Sequence, residues 1–346
     1  MKKLFSKSIK RIIEKWAVNE WKVAFSCLII ALALPIVLNT RYLLSVMTIC
    51  CVNSILAVSL NMLTGYLGIT SLGHAAFYGL GAYTAAILGT RFELNIIVTL
   101  PAGMIIAGIA AFLLGLAAIR APSRHLAIIT LGFCEIVKIV ELNWFSFTGG
   151  ANGIHSVPRI SLLGWDLSGK YAKYYLALFL LILTISTISL IMHSKIGRAI
   201  YSIRDNEIAA ESMGVNVFSY KLFVFTFSAM FAGLAGAFYA HHFSYVSPLS
   251  FTFEQSIVLL SMVILGGIGS MPGTIIGAII LSLLPELLRD FTTWRQVIYG
   301  AIIVILMVAR PSGMLGKYNF KHIRQQVKYS KLLTKNENKP LEKMTG

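Results

Sequence analysis

The feature that most constrains this chain is the stretch 96–119, which contains no charged side chain. As an α-helix, a run of about 20 apolar residues crosses the ~30 Å hydrocarbon core of a bilayer. Backbone polar groups find no water there, so helices and closed β-barrels are the available spanning structures. Because the apolar runs here are continuous rather than alternating, they exclude a barrel and predict an all-α integral membrane protein.

The composition agrees with this prediction. Hydrophobic residues make up 57% of the chain and charged residues 13%, whereas a soluble domain has about 25% charged residues. About ten transmembrane or re-entrant helices with glycine-broken segments are predicted, at Val23–Leu38, Leu43–Leu63, Leu72–Leu88, Ile96–Ile119, Leu126–Leu142, Tyr174–Met192, Leu222–Ala240, Ser256–Ile268, Thr274–Leu288 and Val297–Ala309. The eighth and ninth are short enough to form a re-entrant hairpin instead.

The distribution of positive charge predicts the orientation. With the amino terminus inside, the cytoplasmic segments hold 22 Lys and Arg residues and the opposite segments hold 7, as the positive-inside rule requires. Membrane topology therefore explains the net charge of +16, and we expect no nucleic-acid binding. The predicted organisation is a basic cytoplasmic segment 1–22, a transmembrane domain 23–309 and a basic cytoplasmic tail 310–346, with an external loop 143–173 and a cytoplasmic loop 193–221.

Several kinds of catalytic site are not expected. A near match to a phosphate-binding loop at 164–170 is followed by Tyr171, where that loop requires Ser or Thr. No Ser–His–Asp, metal-ligand or dinucleotide motif stands out. The cysteines lie inside apolar segments and are predicted to be small core residues: Cys27, Cys50, Cys51 and Cys134. We therefore expect no enzymatic activity, no cofactor and no metal.

Two glycine-rich segments interrupt the apolar pattern. The first, 64–83, has five glycines within 17 residues, and the second, 266–273, separates the eighth and ninth segments. Irregular backbone at membrane depth survives only against protein or a watery cavity. Paired interruptions in the two halves of a transporter indicate its solute pathway, and the N–H groups of broken helices can hold a carboxylate.

The predicted translocation-pathway residues come from both breaks: Gly65, Tyr66, Gly68, Ser71, Gly73, His74, Phe77, Gly266, Gly267, Gly269, Ser270 and Gly273. A tight helix-packing seam is the alternative interpretation of the glycines, and the two interpretations are compatible. His74 is alone at its depth, so a packed, hydrogen-bonded core histidine is the alternative to a pathway role.

Charged residues also occur in the fifth segment or at its end, at Glu135, Lys138 and Glu141. Their i, i+3 spacing makes them neighbours on one helix face. Charges at membrane depth are costly unless they are paired or hydrated. Glu135 and Lys138 are therefore predicted intramembrane charges that either form a structural pair or take part in the pathway.

The cytoplasmic loop contains a stretch of helical character, 197–214. Asp205 or Asn206 is suited to cap a helix that Gly214 ends. A short amphipathic helix of this kind suits docking into a groove on a partner. A solvated connector is the alternative.

Four segments together resemble the permease subunits of branched-chain amino-acid ABC importers: 64–83, Thr148–Ile154, 197–214 and 266–277. The resemblance covers roughly residues 45–310. It is closest to the M-type permease, on the Thr148–Ile154 loop and the preceding Phe133–Lys138.

The resemblance implies a multi-pass subunit of the bacterial inner membrane that translocates leucine, isoleucine or valine. Its implied partners are a second permease subunit, two cytoplasmic ATPase subunits, an external solute-binding protein and the lipid bilayer. The stretch 204–214 resembles the coupling helix, with its Glu-Ala-Ala-x-x-x-Gly pattern, although Ile208 stands where the pattern has Glu. The implied ATPase-coupling residues are Arg204, Asp205, Glu207, Ala209, Ala210 and Gly214.

Other functions remain open at this point. Urea and short-amide importers share the same permease architecture. An ion-coupled secondary transporter needs coupling carboxylates, for which Glu135, Glu141 and Glu254 are the candidates. The glycine-broken segments disfavour a non-transport scaffold. Because the breaks contain no cluster of fixed charge, they suit a neutral or zwitterionic solute.

Overall fold

The computed structural model describes residues 29, 31–35, 40–162, 165–166, 169–288, 297–298, 300–301, 304 and 313–314. Nearly all of them belong to one compact unit, 39–315. Most of the first and tenth predicted segments, the basic segment 1–22 and most of the tail 310–346 lie outside the described residues.

The described chain is mostly helical. Its α-helices are α1 (Arg41–Asn61), α2 (His74–Phe92), α3 (Ile96–Ala118), α4 (Ser123–Asn143), α5 (Phe145–Thr148), α6 (Lys170–His193), α7 (Lys195–Asp205), α8 (Glu207–Ser212), α9 (Val217–Phe243), α10 (Phe253–Gly266) and α11 (Met271–Leu287). The second to ninth predicted segments each coincide with one of these helices. Two of these helices begin inside the predicted loops: α6 begins at Lys170 and α9 begins at Val217. At the start of α9, the Asn216 side chain accepts a hydrogen bond from the N–H of Ser219.

Within the described residues, five helical stretches are long and apolar enough to cross a membrane: Arg41–Leu67, Ile96–Ala118, Tyr171–His193, Val217–Phe243 and Pro248–Gly266. Helix α11 is apolar but shorter. These properties of length and composition agree with the predicted all-α membrane class. The total of about ten helices stays a prediction.

Helix α9 packs against α2 and α3 through small residues. A Cβ added at Gly81 would overlap the carbonyl of Gly233, and one added at Gly236 would overlap the carbonyl of Tyr78. Small residues allow this close backbone approach, which supplies packing where lipid gives helices no hydrophobic drive to associate. The packing-seam interpretation therefore applies to Gly81.

Helices α10 and α11 form an antiparallel hairpin that packs on α1. Gly266 lies against Gly273, and Gly277 lies against the carbonyl of Met262. Whether this hairpin crosses the membrane twice or re-enters it stays a prediction.

Four short strands lie beside the ends of the helices. β1 (Ile154–His155) pairs antiparallel with β4 (Tyr245–Val246), with Ile154 opposite Val246, and β2 (Ser161–Leu162) pairs with β3 (Trp165–Asp166). The first pair attaches the loop after α4 to the carboxyl end of α9. The predicted external loop is therefore partly regular structure.

Candidate translocation site

The first glycine break begins where α1 changes into a π-helix, Met62–Leu67, which ends at Gly68 with a φ of 82°. A Cβ added at Gly65 would overlap the side chain of Asn61 and lie 2.5 Å from the backbone nitrogen of Gly269. Real Cβ atoms do not approach backbone this closely. Gly65 is therefore required by close packing between distant segments.

The two predicted breaks meet in space. Asn61 Oδ1 accepts a hydrogen bond of 2.9 Å from the N–H of Gly269, across 208 positions of sequence. Gly269 has a φ of 80°, a conformation that favours glycine. We call Asn61, Gly65, Gly68 and Gly269 the glycine junction.

The second break, 266–273, is stabilised by a hydrogen bond within its own turn. Gly267 has a φ of 117°, and the Ser270 side chain accepts a hydrogen bond from the N–H of Gly273 at the start of α11. Ser270 and Gly273 are both buried. The break therefore has partners for its irregular backbone, as membrane depth requires.

The backbone N–H groups at the start of α2 also have hydrogen-bond partners on neighbouring helices. Thr130 Oγ1 accepts from the N–H of Leu72, and Ser256 Oγ accepts from the N–H of Ala75, both at 3.0 Å. The N–H of Gly73 lies 3.4 Å from Ser71 Oγ. These donors have protein partners, so in this conformation they do not offer the carboxylate site that a broken helix suggests.

His74 and Phe77 are packed core residues. Nε2 of His74 lies 2.9 Å from Ser59 Oγ, and both side chains are buried. The ring of Phe77 lies between those of Phe133 and Phe225. The packed interpretation of His74 describes this environment, and a pathway role for it stays a prediction.

The stretch predicted to couple to a partner folds as two helices, α7 and α8. Asn206 caps α8 by accepting from the N–H of Ala209 at 3.0 Å, and Gly214 follows α8 with a φ of 83°. Ala210 faces the protein, whereas the side chains of Ile208 and Met213 are 78% and 84% exposed. The segment therefore presents apolar side chains outward and Ala210 inward.

An ion pair ties this segment to α9. Lys221 Nζ lies 2.6 Å from Glu207 Oε1, and the lysine side chain is 8% exposed. A buried ammonium requires such a partner, because removing it from water is costly.

Helix α7 also lies against the glycine junction. A Cβ added at Gly269 would be 3.1 Å from Arg204 Nη1, and one added at Gly68 would be 3.3 Å from Arg204 Cγ. The rings of Tyr66 and Tyr201 meet edge to face with centroids 5.8 Å apart. Burial raises the pKa of the Tyr201 phenol, and the Arg204 cation opposes that rise. Arg204, a predicted coupling residue, thus lies close to two predicted pathway residues, Gly68 and Gly269, and Asp205 is the last residue of α7.

The acidic residues of α4 have different surroundings. Glu135 Oε2 lies 3.4 Å from Lys138 Nζ, and both side chains are partly exposed; the choice between a structural pair and a pathway role stays a prediction. Glu141 is 3% exposed, and its carboxylate oxygens have no hydrogen-bond partner among the described residues. A Cβ added at Gly79 would lie 2.9 Å from Glu141 Oε1.

A cavity of about 560 Å³ lies among α1, α2, α9, α10 and α11. Its apolar and aromatic lining includes Ile49, Val52, Tyr78, Tyr239, Phe243, Leu249, Val258, Met262, Leu281 and Pro285. Its polar lining consists of Asn53, His242, Ser250, Thr252, Glu254, Gln255 and Ser282. The cavity therefore combines an extensive apolar wall with a few polar groups.

The cavity is far from the coupling segment. Lys221, which binds Glu207, and His242, which lines the cavity, stand 21 residues apart on α9. At 1.5 Å per residue, the helix separates them by about 30 Å, which is about the thickness of the hydrocarbon core.

Sequence reasoning missed the cavity, because none of the predicted pathway residues lines it. One available signal was the presence of Asn53 and Ser282 inside apolar segments, since polar residues at membrane depth are expensive and face the protein interior. Asn53 Nδ2 donates a 2.8 Å hydrogen bond to Ser282 Oγ. A pair like this is invisible until α1 and α11 are placed side by side.

Residues 42–309 match the protein family described as branched-chain amino acid transport system / permease component. The chain is 34% identical to the high-affinity branched-chain amino acid transport system permease protein LivM of Salmonella typhimurium, over 91% of this chain and 81% of that protein. It is 37% identical to the LivM protein of Escherichia coli, over 83% of this chain and 73% of that protein.

The LivH permease protein of Salmonella typhimurium is also similar, at 24% identity over 76% of this chain and 91% of that protein. No solved structure matches the chain significantly.

Proposed function

We propose that this chain, which belongs to the family of permease components of branched-chain amino acid transport systems, is a membrane-spanning subunit of an ATP-driven importer. Leucine, isoleucine and valine are the proposed solutes. Two relatives of at least 34% identity are named as permease proteins of high-affinity branched-chain amino acid transport systems.

The single structural observation that carries the proposal is the cavity among five helices. Its volume of about 560 Å³ falls within the about 300–1,000 Å³ range of small-molecule pockets. A branched-chain amino acid needs an apolar wall for its side chain and polar groups for its charged ends. The lining supplies both.

The contact between α7 and the glycine junction supports ATP coupling. We propose that α7 and α8 are cytoplasmic and dock on an ATPase subunit through the exposed side chains of Ile208 and Met213. A movement of α7 then reaches the two breaks through Arg204, which lies against both. In this orientation both termini are cytoplasmic, the membrane is the bacterial inner membrane, and the cavity opens toward the external side.

The proposed assembly contains this chain, a second permease related to LivH, two ATPase subunits and an external solute-binding protein. The similarity of this chain to LivH fits a pair of related permeases.

Reconstitution of the full assembly in proteoliposomes tests the proposal. We expect ATP-dependent uptake of labelled leucine, and none with ATPase subunits that cannot hydrolyse ATP. Labelled urea serves as the competing solute. Uptake of urea without uptake of leucine would overturn the proposed solute while leaving the permease assignment in place.

A further inference from the structure

We infer that Glu254 is the residue of the cavity lining that recognises the α-ammonium group of the solute. The inference rests on the proposed function and adds a specificity-determining residue to it. The ligand class is a zwitterionic amino acid with an apolar side chain.

The charge of the cavity wall is the first argument. Among the described residues that line the cavity, Glu254 is the one acidic residue, and none is Lys or Arg. The nearby Lys173 Nζ donates to the main-chain oxygen of His242 at 3.0 Å, and it is not part of the lining. The cavity thus offers one negative charge to a positively charged ligand group.

The geometry of the carboxylate is the second argument. Glu254 lies in the first turn of α10 with an exposed side chain, and Thr252 Oγ1 donates to its Oε2 at 3.4 Å. Its Oε1 has no hydrogen-bond partner in the described part of the chain. One oxygen is therefore available to accept a charge-assisted hydrogen bond from an ammonium group.

The remaining lining suits the rest of such a ligand. Asn53 Nδ2 uses one of its two hydrogens on Ser282 Oγ, so its second hydrogen is a donor for a carboxylate. Apolar side chains such as Ile49, Val258 and Met262 provide contacts for a branched aliphatic side chain. A 2-oxo acid keeps the carboxylate but lacks the ammonium group, so it would leave Glu254 without a counter-charge.

Cysteine protection in the detergent-solubilised assembly tests this inference without depending on solute delivery. Cys27, Cys50, Cys51 and Cys134 are replaced by alanine, and Ser250→Cys places a thiol in the cavity wall. The rate of maleimide alkylation is measured against the concentration of leucine, of 3-methylbutan-1-amine, which lacks the carboxylate, and of 4-methyl-2-oxopentanoate, which lacks the ammonium group.

We expect leucine and the amine to protect the thiol and the 2-oxo acid to fail. Glu254→Gln should raise the half-protecting concentration of leucine about ten- to a hundredfold, the range of a hydrogen bond to a charged group. Glu93→Gln removes the same charge from an equally exposed position just after α2 that does not line the cavity, and it should leave protection unchanged.

Three results would overturn the inference: no protection by leucine in the parent, equal protection by the 2-oxo acid, or unchanged protection in Glu254→Gln. If Glu254→Gln lowers uptake driven by the binding protein without changing protection, the residue contacts that protein instead. Leucine uptake by the cysteine-free parent in proteoliposomes separates these outcomes from failure of the proposed function.

Discussion

The side chain of Asn61 accepts a 2.9 Å hydrogen bond from the backbone N–H of Gly269. This contact joins the end of α1 to the turn between α10 and α11, and Gly269 also lies close to Arg204 of α7. The glycine junction is therefore the place where the two halves of the described bundle and the coupling segment meet.

Removing the acceptor should weaken the junction. Asn61→Ala leaves the N–H of Gly269 without this partner, at a cost of about 1–3 kcal/mol. We expect a lower midpoint of thermal unfolding and reduced leucine uptake. Asn143→Ala is the control, because Asn143 is exposed and hydrogen-bonds within its own helix. Equal stability of the two variants would contradict a structural role for the Asn61–Gly269 bond.

A side chain added in the glycine junction should reduce solute uptake more than it reduces the amount of the protein in the membrane. Gly65→Ala places a Cβ 2.5 Å from the nitrogen of Gly269, and the overlap costs about 1–3 kcal/mol. Gly132→Ala is a matched control, since nothing lies within 4 Å of its added Cβ. We expect uptake normalised to membrane protein to fall at least about tenfold in the first variant alone. Normal uptake by Gly65→Ala would show that the break is a passive spacer.

The exposed apolar side chain of α8 should carry the contact with the ATPase. Ile208→Asp places a charge on this surface, and charged residues are depleted at interface cores. We expect loss of ATPase co-purification with unchanged membrane insertion. Ser219→Asp changes an exposed residue in the first turn of α9, where an acidic side chain is favoured, and should retain the ATPase. Retention of the ATPase by Ile208→Asp would place the docking surface elsewhere.

The ion pair between Glu207 and Lys221 should be more important to stability than an exposed pair. Glu207→Gln leaves the buried ammonium without its anion, a loss of about 3–5 kcal/mol for a fully buried pair and less here because Glu207 is 47% exposed. The double variant Glu207→Gln/Lys221→Met removes the unpaired charge and should recover most of the loss. Thermal unfolding and limited proteolysis of the α7–α8 segment measure both effects. A double variant less stable than Glu207→Gln would refute this account.

Some of the architecture follows from local sequence. The helices that match the second to ninth predicted segments are visible in continuous apolar runs, because membrane depth requires each backbone group to find its partner within a short stretch. The cap at Asn206 and the left-handed Gly214 are equally local, since both depend on residues within one helical turn. The family resemblance comes from the same segments.

The relationships between distant segments were decided by tertiary structure. Asn61 and Gly269 are 208 positions apart, and no periodicity links them. The cavity requires side chains from five helices, so its polar residues show their common surroundings only after the helices have packed. The N–H groups at the start of α2 donate hydrogen bonds to the side chains of Thr130 and Ser256. Hydropathy reports which residues leave water, whereas the partner that each buried polar group finds depends on how the helices pack against one another.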